Sequence, residues 1–165
     1  MSIFSTKDMN IRSGTVPTFL AVGFGKAAEI MGNVKATETI TLQVLRKKLF
    51  DGLKRHYGAI LINGDMENRH PGNLNLRIPG VESKQLIYSL QPKIAFSTGA
   101  ACASGIIEPS HVLKAIGLTT EEAEHSFRIS VGRNTNVTDI ESAIAIIARA
   151  REGLAQHPLL EKVMR

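Results

Sequence analysis

Cys102 is the only cysteine of the chain, and it sits in "FSTGAACASG", residues 96–105, among Gly, Ala, Ser and Thr. Elsewhere a lone cysteine reads as a small buried hydrophobe. Here Gly99, Ala100, Ala101, Ala103, Ser104 and Gly105 offer almost no side-chain surface to pack around it, and such a stretch lets another molecule approach the backbone closely. That setting suits a thiol that attacks one partner and is then carried to another. Its thiolate needs a nearby cation or backbone dipole, and a helix opening near Glu108 or His111 is one source. Arg128 is the second candidate. It falls within "SFRISV", residues 126–131, where a solvated strand face accounts for an arginine. A clamp accounts for it too, because the planar guanidinium fork matches a carboxylate and Ser130 and Arg133 keep the region polar. The third is Thr15 in "RSGTVP", residues 12–17. The chain breaks at Gly14, Thr15 caps a helix begun by Pro17, and a hydroxyl with free N–H groups at a helix start also makes a phosphate site.

Regular elements must hold these residues. Residues 17–32 read as a helix, and 37–56 as a clearer one, since Leu42, Leu45, Leu49 and Leu53 form an apolar stripe opposite Arg46, Lys47 and Lys54. Gly58 follows its end. "AILIN" (59–63) reads as a strand closed by the turn signal "NGD". In "NLNLRI" (73–78), Leu74, Leu76 and Ile78 alternate with Asn73, Asn75 and Arg77, the mark of a strand with one buried face. A helix at 82–90 and a strand at "KIAF" (93–96) lead into the cysteine loop, 97–105. Glu108 and Pro109 open a short helix that Gly117 closes. Thr119 and Glu122 have capping-box spacing, as do Thr138 and Glu141, so helices begin near both. The second of these carries Ile140, Ala143, Ile144, Ile147 and Ala148 on one side. Between them, Phe127, Ile129 and Val131 alternate with Ser126, Arg128 and Ser130 in a strand whose polar face holds Arg128. Helices and short strands without a regular βαβ rhythm indicate an α+β fold, a small, largely antiparallel sheet covered by helices.

Composition narrows the function. A chain of 165 residues with 43% hydrophobic composition can bury one ordinary core. No apolar stretch reaches the roughly 18 residues that span a bilayer, and "MSIFSTKDMN" lacks the apolar run of a signal peptide. A cytoplasmic, non-membrane address is expected. A single cysteine cannot form an internal disulfide, and no CxxC or Cys/His spacing suggests a metal site. The net charge is +5, but basic residues interleave with acids and the chain has no Trp. That pattern lacks the basic stripe with stacking aromatics of a nucleic-acid surface.

In order along the chain, "RSGTVP", "LINGD", "PGNLNL", "FSTGAACASGIIEPSHVLKAIGL" and "FRISVGR" resemble the C-terminal, small-domain part of a pyridoxal-phosphate cysteine desulfurase of the iron-sulfur-cluster type, in the aminotransferase class-V family. The stretch around Cys102 is the specific one. The resemblance implies that Cys102 takes sulfur from L-cysteine as a persulfide, that Arg128 clamps the substrate carboxylate, and that Thr15 reaches the cofactor phosphate of another subunit in a self-dimer. It also implies that Asn73 and Asn75 hold the small domain's architecture. "HPLLEKVMR", at 157–165, resembles the tail with which such enzymes meet their iron-sulfur scaffold. Residues 1–34 then correspond to a helical end of the large domain and 35–165 to the small domain. The family's Schiff-base lysine, ring-stacking histidine and ring-nitrogen aspartate belong to a large domain expected before residue 1. None of the lysines in this chain has the required setting, so pyridoxal phosphate is expected on a separate large domain and the chain is expected to be inactive alone.

Two functions follow. The chain is a component of a cysteine desulfurase that works when a large domain supplies the cofactor, or it is a silent module that docks on sulfur-transfer partners. Independent Cys-His chemistry, pairing Cys102 with His111 or His125, lacks an orienting residue.

Overall fold

The protein is described by a computed structural model covering residues 17–95, 97–98 and 110–155. Its elements are helix α1 (Thr18–Tyr57), strands β1 (Leu61–Ile62) and β2 (Asn73–Arg77), helix α2 (Ser83–Leu90), strand β3 (Ser97–Thr98), helices α3 (His111–Ala115) and α4 (Thr120–Glu124), strand β4 (Ser126–Ser130) and helix α5 (Val137–Ala155). The chain divides into two compact units, Met1–Glu38 and Thr39–Arg165.

In the first unit, the described turns of α1 leave Phe19, Leu20, Val22 and Phe24 exposed. The second unit holds the core. Leu42, Leu45, Leu49 and Leu53 form the stripe that the spacing predicts, and all are buried. They meet Leu74 and Leu76 of β2, Phe127 and Ile129 of β4, Leu86 and Leu90 of α2, and Ile140, Ile144 and Ile147 of α5. Each such side chain, fully buried, contributes roughly 1.5–3 kcal/mol. Gly52 lets α1 and α5 approach: a Cβ there would lie 2.2 Å from Ile144 Cδ1.

The four strands among the described residues run in the order β1-β2-β4-β3, every neighbouring pair antiparallel. The α+β architecture, a small antiparallel sheet covered by helices, is therefore the one expected. In β2, Leu74 and Leu76 are buried while Asn73, Asn75 and Arg77 are half-buried on the other face. The alternation written in the sequence thus separates an apolar face from a polar one.

Four local expectations need correction. The helices expected at 17–32 and 37–56 are one 40-residue helix. Asn33 to Ala36 contains no proline, and Gly32 costs only about 1 kcal/mol in a helix interior. The strand expected at 93–96 does not form over 93–95, Phe96 lying outside the described residues, and β3 is at Ser97–Thr98, because Lys93 N–H and Ile94 N–H both donate to Leu90 O, at 2.9 and 3.1 Å, in the turn after α2. Helix α5 begins before Thr138. Asn136 Oδ1 accepts from Asp139 N–H at 3.0 Å and Asp139 Oδ2 accepts from Asn136 N–H at 2.9 Å, a reciprocal cap of the same logic two residues earlier. Glu141 instead pairs with Lys48 across the fold, at 2.6 Å. Finally, Arg46, expected on the polar side of its helix, is buried with 8% exposure.

Candidate functional site

The polar face of the sheet builds the site. Period-two alternation brings Asn73, Asn75 and Arg77 of β2 to the same side as Ser126 and Arg128 of β4. Arg128 stands at the centre of the strand order, its Cα paired with Asn75 on one side and with Ser97 of β3 on the other. A cleft of about 470 Å³ opens over this face. Its floor includes Asn73, Asn75, Ser97 and Arg128, one wall is the loop from Asn63 to His70, and the opposite wall is α3 with Ser110, Val112, Leu113 and Ile116.

Loop 63–72 is shaped by two arginines. Arg46 donates from α1 to Met66 O at 3.2 Å and to His70 O at 3.5 Å; its Nε is buried without a partner among the described residues. Arg69 donates to Asn63 O at 2.6 Å and, through Nε, to Asp65 O. Burial, and then repulsion from Arg46, pulls the Arg69 guanidinium below the ordinary arginine range. Asp65 accepts from Glu67 N–H at 2.7 Å and from the Asn68 amide, and the first of these bonds leads in holding its carboxyl below the usual carboxylate range. His70 Nδ1 accepts from Gly72 N–H at 3.2 Å, which leaves the ring hydrogen on Nε2 in the neutral form. The Gly72 position allows no side chain, since a Cβ would sit 2.2 Å from Val131 O.

Beneath the cleft a row of polar groups is tied together. Asn63, only 3% exposed, donates to Asn75 Oδ1 at 2.7 Å and to Ser126 Oγ at 2.8 Å. Arg77 donates to Asn63 Oδ1 at 2.7 Å and pairs with Glu122 at 2.9 Å. Glu122 and Thr119 form the capping box their spacing predicts. The Thr119 N–H bond is the leading cause that holds the Glu122 carboxyl low, with Arg77 adding to it.

Among the described residues the Arg128 guanidinium, exposed at the cleft, has no ion pair or hydrogen-bond partner. Among the described residues two arginines face one aspartate around the cleft, so these surroundings favour an anion, and the guanidinium fork favours a planar carboxylate. No lysine lines the cleft among the described residues. The group implied by the resemblance, pyridoxal phosphate, is held through a lysine imine, so these residues fit a carboxylate and do not by themselves fit that cofactor.

Of the three residues singled out in the sequence, the structure places Arg128. Cys102, Thr15 and the tail at 157–165 lie outside the described residues. The segment with Cys102 is bracketed by two residues of the cleft, Ser97 and Ser110. The expected helix opening at Pro17 is seen as Pro17 O accepting from Ala21 N–H at 3.0 Å, with α1 starting at Thr18. Sequence reasoning missed Asn63, Arg69 and His70. The turn signal "NGD" and the alternation of β2 locate their neighbourhood, but nothing in either marks them as lining a site.

Comparison with known proteins gives the family of the chain. The sequence profile of aminotransferase class-V matches residues 1–142. Cysteine desulfurase IscS of Aeromonas salmonicida is 44% identical over 140 residues, which cover 85% of this chain and 34% of that protein. The protein of the same name from Ehrlichia chaffeensis is 39% identical over 158 residues, covering 95% of this chain and 38% of the relative. The chain thus spans only 34% and 38% of the length of these two relatives. The X-ray structure of a NifS-like protein from Rickettsia africae superposes with a TM-score of 0.76 at 26% identity, over 92% of this chain and 39% of that one. Residues 1–142 carry the match across both units, and on that extent the chain belongs to the aminotransferase class-V family.

Proposed function

We propose that this chain is the small-domain part of a cysteine desulfurase, in which Cys102 receives sulfur from L-cysteine while Arg128 holds the substrate carboxylate. The supporting observation is the cleft: a guanidinium on its floor with no partner among the described residues, with the Cys102 run leaving from Ser97 and returning at Ser110, both on the same cleft. Five residues of extended chain reach at most about 18 Å, so the Cα of Cys102 is tethered within that distance of the Cα of Ser97, the residue paired with Arg128.

The balance of the transfer is simple. L-Cysteine and the Cys102 thiol become alanine and a Cys102 persulfide; the substrate C–S bond breaks, an S–S bond forms, and the carbon is reduced to a methyl group as the sulfur is oxidised. Breaking that C–S bond requires the electron sink of pyridoxal phosphate, supplied by a large domain with its own lysine. Thr15 is proposed to contact the cofactor phosphate, and the persulfide sulfur is destined for an iron-sulfur scaffold or another acceptor, within the cytoplasm.

The test is reconstitution. The purified chain with pyridoxal phosphate and L-cysteine should release no sulfide, and adding a separately made desulfurase large domain should produce alanine and a persulfide on Cys102 detectable by mass spectrometry. Cys102→Ser should abolish both products. Unchanged alanine formation by Cys102→Ser in that mixture, or robust turnover by the chain alone, would overturn the proposal. A silent docking module would bind the large domain yet leave Cys102 unmodified.

A further inference from the structure

The polar row beneath the cleft has a direction, and Arg77 sets it. A guanidinium only donates, so Asn63 must present Oδ1 to it, as observed at 2.7 Å. That leaves the Asn63 amide nitrogen to donate, to Ser126 Oγ at 2.8 Å and to Asn75 Oδ1 at 2.7 Å. Ser126 can accept because its own hydrogen goes to Glu122 O, at 2.6 Å. With Oδ1 turned to Asn63, the other end of the Asn75 amide is the nitrogen. Its hydrogens have no partner among the described residues, and Asn75 lines the cleft. Asn75 is also the direct cross-strand partner of Arg128, a relation that puts side chains on one face with Cβ atoms about 5 Å apart.

We propose that Asn75 is a second substrate-binding donor: its amide N–H takes one oxygen of an α-amino acid carboxylate while the Arg128 fork takes the carboxylate from the neighbouring strand. Asn63, Arg77 and Glu122 are positioning residues that keep the donor end of Asn75 toward the cleft. The Thr119–Glu122 capping box anchors the far end, since Glu122 spends one carboxylate oxygen on Arg77 and the other on Thr119 N–H, each at 2.9 Å. This inference rests on the assignment of Arg128 to a carboxylate, and it adds the residue that sets the orientation of that carboxylate.

The experiment uses the full chain, 15N-labelled, titrated with L-cysteine and with cysteamine, which differs only by lacking the carboxylate. The Arg128 Nε–H and Asn75 side-chain NH2 signals should move together on one saturable curve with L-cysteine and stay still with cysteamine. A hydrogen bond to a charged group contributes enough that Asn75→Ala should weaken L-cysteine binding, read on the Arg128 signal, about tenfold or more. Asn63→Asp still accepts from Arg77 but cannot donate to Asn75; it should cost a similar factor and add nothing on top of Asn75→Ala. Movement of Arg128 alone, or an Asn75→Ala affinity within twofold of the parent, overturns the role of Asn75 and leaves the Arg128 assignment standing. Silence of both signals removes both. Independent, additive losses for Asn63→Asp and Asn75→Ala overturn the positioning role of Asn63, and rescue of binding by Asn75→Gln would support the amide as the working group.

Discussion

Arg128 is fixed at its backbone and free at its tip. Strands pair with β4 on both sides of it, while the guanidinium has no partner among the described residues. Removing such a group should therefore affect ligand binding far more than folding. In the reconstituted assembly Arg128→Ala is expected to lower kcat/KM for L-cysteine about 100-fold or more, the loss typical of leaving a buried carboxylate unpaired, and Arg128→Lys to recover only part, since it keeps the charge and loses the fork. The unfolding free energy should change by no more than about 0.5 kcal/mol, as for other exposed positions; a larger loss on denaturant unfolding would make the residue structural. Glu122 behaves in the opposite way. Its carboxyl is held low by Thr119 N–H and then Arg77, so its contribution to stability is complete above the ordinary glutamate range and is lost as pH falls through the lower folded-state value. Thermal midpoints of the parent and Glu122→Gln should differ at neutral pH and converge in acid; a gap that persists unchanged would show that the charge plays no part.

At the level of elements, glycine positions report how closely the pieces meet. Gly72 faces backbone, where an added Cβ would lie only 2.2 Å from Val131 O, whereas Gly52 faces the Ile144 side chain. Gly72 O also accepts from Val131 N–H at 2.9 Å, which binds the start of β2 to the end of β4. Gly72→Ala should cost about 1–3 kcal/mol or more of unfolding free energy, in the range of overpacked cores, and no neighbouring truncation should restore it. Gly52→Ala should be partly rescued by Ile144→Val, which removes the offending Cδ1, and denaturant melts of the four proteins check both statements. These same elements show what a sequence reveals. The Leu42 to Leu53 stripe and the alternation of β2 and β4 were legible because their periods are local and each matches one element. Arg46 was not, because its role lies in the carbonyls of Met66 and His70, which are 20 and 24 residues away. Asn63 read as part of a turn signal for the same reason; its partners lie 12 and 63 residues along the chain. The capping box at Thr119 was legible, but its link to the cleft through Arg77 was not. The cysteine run stood out through composition alone, a signal that owes nothing to long-range contacts, and it lies outside the described residues.

Considered as a whole molecule, the chain carries exposed apolar surface on the helix of its first unit. Phe19 is 93% exposed and Phe24 80%, and contiguous exposed apolar residues of this kind mark partner contacts. The isolated chain is expected to self-associate at micromolar concentration, with Phe19→Glu and Phe24→Glu together shifting it toward a monomer in light scattering; a parent chain that stays monomeric throughout would remove that expectation. No helix among the described residues is long and apolar enough to cross a membrane. Strand β3 carries a different consequence. Among the described residues it joins the sheet through Ser97 and Thr98, at its margin, and the β1-β2-β4 ladder closes without it. Peeling it away breaks a few main-chain bonds and leaves Leu74, Leu76 and the aliphatic interior shut. Opening of that kind is subglobal, cheap and fast beside complete unfolding. Deuterium should enter the amides of Ser97 and Thr98 long before those of Leu74 and Leu76, so the strand that feeds the thiol can unzip and rejoin many times within the lifetime of one folded molecule.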